Sequence, residues 1–181
     1  RKCFQSAIDQ IGKSQPIATP LPLPASFEKL HDQHRRIMAV DAAAYHRATF
    51  AKRSNDFGPN MTSLINAGLT ESAVDYVEAV DCRLRLRDEM SELLGNNRMA
   101  VMPSTTTVAQ SLKTTGDPAF NSPWSFAGLP AITITSGLDD DGMPCGLQIV
   151  GPPNSELRLL RASWLCEQAL TFSQTPPLLD A

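Results

Sequence analysis

The stretch 115-TGDPAFNSPWSFAGLPAITITSG-137 passes from turn residues to a strand within one short run, and its reading decides the fold. Gly116-Asp117-Pro118 is turn chemistry, because Gly tolerates positive φ, Asp bonds nearby backbone and Pro pre-sets its own φ. Asn121 is placed to cap or pin that turn. Gly128 before Leu129-Pro130 permits a close backbone approach, after which 131-AITIT-135 is β-branched and apolar as a strand should be.

Downstream, 138-LDDDGMP-144 places Asp-Gly at the centre of a turn and 145-CGLQIV-150 has strand character again, so these two strands are expected to be hairpin neighbours. Asn154 or Ser155 is read as the cap of a helix running to about Phe172, with Leu157, Leu160, Trp164 and Leu165 or Cys166 facing a sheet. The tail 173-SQTPPLLDA-181 cannot continue it.

Upstream, 99-MAVMP-103 reads as a short buried strand, followed by the hydroxyl run 104-STTT-107. A helix is expected from Glu71 to about Leu94, capped by Thr70, striped by Val74, Val77, Leu84 and Leu93 or Leu94, and ended by Gly95. Residues 54-SNDFGPN-60 read as a turn and 66-NAG-68 as a further break. Ser26 is expected to cap a helix from Phe27 to near Phe50, with Phe27, Leu30, Ile37, Val40, Ala44 and Tyr45 along one side. The prolines of 16-PIATPLPLP-24 point to an edge strand running into polyproline-like chain, after a first helix over residues 3–12 stopped by Gly12. Helices alternating with short strands predict an α/β fold, a mixed β-sheet layered with helices, with parallel as well as hairpin-related pairs.

Length and charge narrow the function. The 181 residues suit a single unit spanning 1–181, and a net charge of −3 offers no basic surface for nucleic acid. The longest apolar runs fall far short of the ~20 residues of a membrane helix. Cys3, Cys82, Cys145 and Cys166 form no CxxC pair, which suits reduced, mostly buried thiols in a cytoplasmic protein. His31, His34 and His46 lack acidic or Cys partners at ligand spacing, so no metal and no cofactor is expected; His31 and His34 read as a solvated helix face. The chain opens at Arg1 without a Met, signal peptide or transit pattern, which points to a start inside a longer protein.

None of the local clusters is a self-sufficient catalyst. Ser104 to Thr107 lie where α/β sheets often keep functional groups, yet no activating base and no G-x-S-x-G elbow accompanies them. Asp139, Asp140 and Asp141 precede Gly142 and read as a hairpin loop rather than a metal cluster. In 83-RLRLR-87 the helical spacing divides the guanidinium groups between faces, and Arg83 is the one nearer the apolar stripe.

Three blocks, TGDPAFNSPWSFAGLPAI, DGMPCGLQIVG and ELRLLRASWLCEQA, resemble the C-terminal region of the amidase signature family. The likeness extends upstream through 70-TESAVDYVEAVDCRLRL-86 and 37-IMAVDAAAYH-46, though the C-terminal blocks are the specific part. The resemblance implies a serine hydrolase fold that cleaves carboxamides to a carboxylic acid plus ammonia or an amine. It also implies a catalytic Ser, a Ser in a cis peptide and a Lys, all supplied by the family's N-terminal half, with a Gly/Ser-rich segment furnishing oxyanion donors. No Gly-Gly-Ser-Ser-Gly-like stretch occurs here, and Lys2, Lys13, Lys29, Lys52 and Lys113 match none of the catalytic positions. Arg98, Gln110 and Thr135 stand where the family commonly has Asp, Pro and Pro.

On that resemblance the chain is expected to be the C-terminal part of an amidase-signature-like fold, inactive alone, with no catalytic residue of its own. Phe120, Asn121 and Trp124 are expected as walls of the substrate pocket, and Arg83 as a weaker partner for a polar substrate end. The expected partners are a small amide substrate and either the missing N-terminal half or a second copy. The alternative is a non-catalytic α/β remnant acting as a binding module.

Overall fold

The computed structural model describes residues 2–13, 19–111 and 114–175. They divide into two compact units, one of residues up to 22, 94–124 and from 129 onward, the other of residues 23–93 and 125–128.

The first unit is built on the expected hairpin. Strands β2 (Ala131–Leu138) and β3 (Pro144–Val150) pair antiparallel, and β1 (Ala100–Pro103) pairs with the other side of β3, giving the order β1-β3-β2. Every described strand pair is antiparallel, so the expected parallel pairing has no counterpart among the described residues. In the turn, Asp139 Oδ1 accepts hydrogen bonds from the backbone N–H of Asp141 (3.0 Å) and Met143 (2.8 Å), and Gly142 takes φ +78°. The acidic run is therefore turn scaffolding.

Because alternate strand residues point to opposite faces, the sheet has two different surfaces. Ile134, Leu147 and Ile149 join Ala7, Leu159 and Leu170 in the core, under helices α1 (Lys2–Gly12) and α6 (Glu156–Leu170). Fully burying each of the Leu and Ile side chains among them stabilises by about 1.5–3 kcal/mol. Met102, Gln148 and Thr133 stand opposite one another in a row on the other face. The α6 side facing the core is Leu159, Ser163 and Leu170, whereas Leu157, Leu160, Trp164 and Leu165 are exposed. That corrects most of the expected stripe, of which Cys166 does pack against the core: the apolar residues of α6 cover more than one face, and periodicity alone does not choose between them. Ser155 does stand at the N-cap, but its hydroxyl donates to the Pro152 carbonyl (2.6 Å) instead of capping.

Two thiols meet in this unit. Cys3 donates to the Leu138 carbonyl (3.3 Å), and burial together with the neighbouring Cys3 raises the Cys145 thiol to about 11. Folded Cys145 thus keeps its proton in a range where an ordinary thiol, at 9.0, has lost it. The unfolded chain then binds fewer protons, so this group's contribution to stability falls as pH rises from 9.0 toward about 11. At pH 8.5 Cys145 is expected to alkylate with iodoacetamide more slowly in the folded than in the urea-unfolded protein, as peptide mass mapping would read.

The second unit is helical. A 3-10 helix (Ala25–Lys29) leads into α2 (Leu30–Arg53), and Ser26, expected as a cap, instead donates its hydroxyl to the Glu89 carboxylate. The buried residues of α2 are Leu30, Ile37, Ala39 and Ala43, while Tyr45 is 84% exposed, so the expected side was only partly right. Next comes α3 (Pro59–Thr70), in which Gly58 is the N-cap and Pro59 holds the first helical position. It includes 66-NAG-68, read as a break. The reason is Gly68: a Cβ there would lie 1.9 Å from the Ala39 carbonyl oxygen, so the glycine serves close packing of α3 on α2.

Thr70 ends α3 and bonds back to the Asn66 and Ala67 carbonyls, leaving the cap of α4 (Ala73–Leu94) to Ser72. The Ser72 hydroxyl accepts from the Asp75 N–H (3.0 Å) and donates to the Asp75 carboxylate (2.7 Å). The buried stripe of α4 is Ala79, Cys82, Leu86, Met90 and Leu94; Val74, Val77 and Leu84, expected to be inward, are exposed. Gly95 ends the helix as expected, with φ +54°. His34 is half-buried with its ring 5.6 Å from that of Phe126, which corrects the solvated-face reading. Burial and then His31 hold its pKa below the ordinary 6.5, so acidification through that value works against this packing.

Residues 19–24 carry no helix or strand, which corrects the edge-strand reading there; residues 16–18 and the tail beyond Thr175 lie outside the described residues.

Candidate functional site

The opening stretch folds by the chemistry expected of its turn. Asp117 Oδ1 accepts from the Ala119 N–H (2.9 Å), Pro118 starts a 3-10 turn through Phe120, and the Asn121 N–H closes it on the Pro118 carbonyl (2.8 Å). A short helix, α5 (Ser122–Ala127), follows. At its end the Leu129 N–H bonds the Trp124 carbonyl (2.9 Å) and the Gly128 N–H bonds the Ser125 carbonyl (3.3 Å), with Gly128 at φ +65°. This is the Schellman arrangement, and it requires the left-handed residue at Gly128. Gly128→Ala is expected to cost about 1–2 kcal/mol, read as a lowered urea midpoint, because an L side chain is strained there; its Cβ would also press to 3.1 Å from Arg87 Nη1.

The turn and helix place Asn121 and Trp124 beside Gln148 on β3. Trp124 Nε1 donates to Gln148 Oε1 (2.9 Å), and Gln148 Nε2 donates to Asn121 Oδ1 (2.7 Å). Trp124 is 4% and Gln148 5% exposed, whereas Asn121 is exposed. The structure therefore joins two of the expected wall residues through one the sequence reading missed. Its signal was a polar residue inside the apolar run 145-CGLQIV-150, since a Gln buried in a strand needs partners.

Phe120 is half-buried in the same 3-10 turn. Arg83 lies exposed on α4, in the other unit, beside Tyr76, whose proton loss is made harder by burial and by Asp41, with Arg83 opposing. Arg83 stands four residues after Ala79 and three before Leu86, so it flanks the corrected stripe of α4 more closely than Arg85 or Arg87 does.

Ser104 follows β1, and its N–H bonds the Gly146 carbonyl (3.0 Å). A Cβ at Gly146 would sit 2.3 Å from Ser104 Oγ, so the glycine makes room for that hydroxyl. Among the described residues no His, Lys or carboxylate hydrogen-bonds Ser104 Oγ, and no group of three His, Cys, Asp or Glu is placed to hold a metal. The site offers amide and hydroxyl groups for binding, and its carboxylate, Asp117, is engaged with the Ala119 N–H of its own turn. An open groove of about 410 Å³ lies elsewhere, between β2 and α6, lined by Ile132, Ile134, Leu160, Trp164 and Glu167 among others, and none of the expected wall residues borders it.

The amidase family model matches residues 16–160. The chain belongs to the amidase family. A glutamyl-tRNA(Gln) amidotransferase subunit from Halothermothrix orenii is 30% identical over 139 residues, covering 70% of this chain and 29% of that protein. The crystal structure of an amidase superposes with a TM-score of 0.83 at 25% identity, over 93% of this chain and 41% of that one. A bacterial aryl acylamidase of the amidase signature enzymes shares the fold, with a TM-score of 0.76 at 20% identity, covering 96% of this chain and 40% of that one. This amidase chain thus spans less than half the length of these relatives.

Proposed function

We propose that this chain is the C-terminal portion of an amidase-type serine hydrolase acting on small carboxamides, and that the nucleophile and its base come from a part of the fold outside these residues. The observation that carries the reading is a family match over residues 16–160 with no base at the hydrogen-bond reach of Ser104 among the described residues. In this reading both units belong to one amidase-like domain, with Phe120, Asn121 and Trp124 forming a wall of the cleft and Arg83 meeting a polar substrate end. Free cysteines favour a cytoplasmic setting, and no helix among the described residues is long and apolar enough to cross a membrane.

The partner in this proposal is the N-terminal half of the fold. Strand β2 is one of the two outer strands of the described sheet, and Leu160 (57%) and Trp164 (59%) are exposed beside the groove along it. Unpaired edge groups beside apolar side chains favour strand addition. Mixing the chain with a separately produced N-terminal half of an amidase relative is expected to give a heterodimer on size-exclusion chromatography and release of ammonia from hexanamide. A stable monomer that ignores the N-terminal half would favour the non-catalytic binding module instead.

A further inference from the structure

The order of donors in the Trp124–Gln148–Asn121 chain has a chemical direction. An indole N–H only donates, so Trp124 requires an acceptor, and the Gln148 carboxamide meets it with Oε1 at 2.9 Å. That leaves Nε2 to donate to Asn121, which must answer with Oδ1 at 2.7 Å. Turning the Gln148 amide over would set donor against donor at Trp124, with both side chains too buried for water to compensate. The carbonyl of Asn121 is thereby consumed. Its Nδ2 makes no hydrogen bond among the described residues and belongs to an exposed side chain.

We propose that Gln148 is a positioning residue that holds Asn121 as an outward N–H donor, and that Asn121 uses it to bind an oxygen acceptor of the substrate, the carbonyl oxygen of a carboxamide. This rests on the reading of Asn121 as a wall of the cleft. The backbone supports the arrangement, because the Asn121 N–H is itself tied to the Pro118 carbonyl and the turn to Asp117. A ligand presenting an N–H or a cation to Asn121 would find the wrong partner; one presenting an oxygen would find a donor already oriented.

The test is side-chain amide NMR on the ¹⁵N-labelled chain, with propanamide as the probe. In the wild type the Asn121 Nδ2 hydrogens are expected to exchange freely with solvent. The Gln148 Nε2 hydrogen should be slowed at least about fivefold, in keeping with a net hydrogen bond. Gln148→Glu leaves two acceptor oxygens where one donor stood, so Asn121 should turn over, its Nδ2 hydrogens becoming protected. Propanamide should shift the Asn121 Nδ2 resonance in the wild type and not in Gln148→Glu. Asn121→Asp leaves the core untouched and should keep Gln148 protected while losing the propanamide response, so it carries the test if Gln148→Glu fails to fold. Protected Asn121 hydrogens in the wild type, or unchanged exchange in folded Gln148→Glu, would overturn the positioning role. The expected exchange pattern with no propanamide response at Asn121 would overturn the cleft-wall reading and the ligand assignment together.

Discussion

Replacing Gly68 by alanine is expected to be among the most damaging single-methyl additions in this protein, lowering its stability by about 3 kcal/mol, the upper end for overpacking. The added carbon would sit 1.9 Å from the Ala39 carbonyl oxygen, 2.3 Å from the carbonyl carbon and 2.8 Å from the Val40 nitrogen. All three are backbone atoms of α2, so no rotamer change relieves the clash. Either the two helices move apart and expose Ala39, Ala43 and Ile65, or they bend. Gly12→Ala is the control, because Gly12 is the last residue of α1, nothing lies within 4 Å of a Cβ there and its φ is not in the left-handed region. Urea denaturation followed by circular dichroism should show a large loss for the first and none for the second. Equal behaviour of the two variants would mean that α3 does not pack on α2 in this way.

Trp124 carries the second large effect. Truncation to alanine is expected to cost about 3–5 kcal/mol, as for other buried aromatics. Phenylalanine separates the two parts of that cost: it keeps most of the apolar contact and removes only the donor. It leaves Gln148 Oε1 buried and unpaired, for which about 1–3 kcal/mol is expected. Removing both polar partners together, as in Trp124→Phe with Gln148→Leu, should cost less than the sum of the two single changes, with a coupling of about 0.5–3 kcal/mol. Strict additivity of the urea-derived free energies would contradict the hydrogen bond that joins them.

These two sites also show what a single sequence discloses. The hairpin was legible because Asp139 to Gly142 combine turn chemistry with β-branched flanks, and the ends of α1 and α4 because Gly12 and Gly95 follow apolar periodicity. Gly68 misled because its chemistry is the same whether it ends a helix or lets another helix approach; the difference lies in Ala39, remote in sequence. The faces of α4 and α6 were misread for a related reason. Each helix carries more apolar residues than one stripe holds, so Val74, Val77, Leu157 and Trp164 fit the period without being buried. Phe120, Asn121 and Trp124 were singled out by the resemblance alone, and what the structure adds is that two of them, Asn121 and Trp124, share one hydrogen-bond chain. Gln148, which accepts from Trp124 and donates to Asn121, was hidden inside a strand whose apolar neighbours dominated the reading.

The central claim is that this amidase chain supplies structure and binding groups while its nucleophile lies outside these residues. The most direct measurement is ammonia release from hexanamide by the purified 181-residue chain, alone and as the Ser104→Ala, Thr105→Ala, Thr106→Ala and Thr107→Ala variants. The account predicts no release above the buffer rate from any of them. Hydrolysis by the unmodified chain that disappears in one of these variants would contradict it, because a nucleophile would then stand in the hydroxyl run after β1.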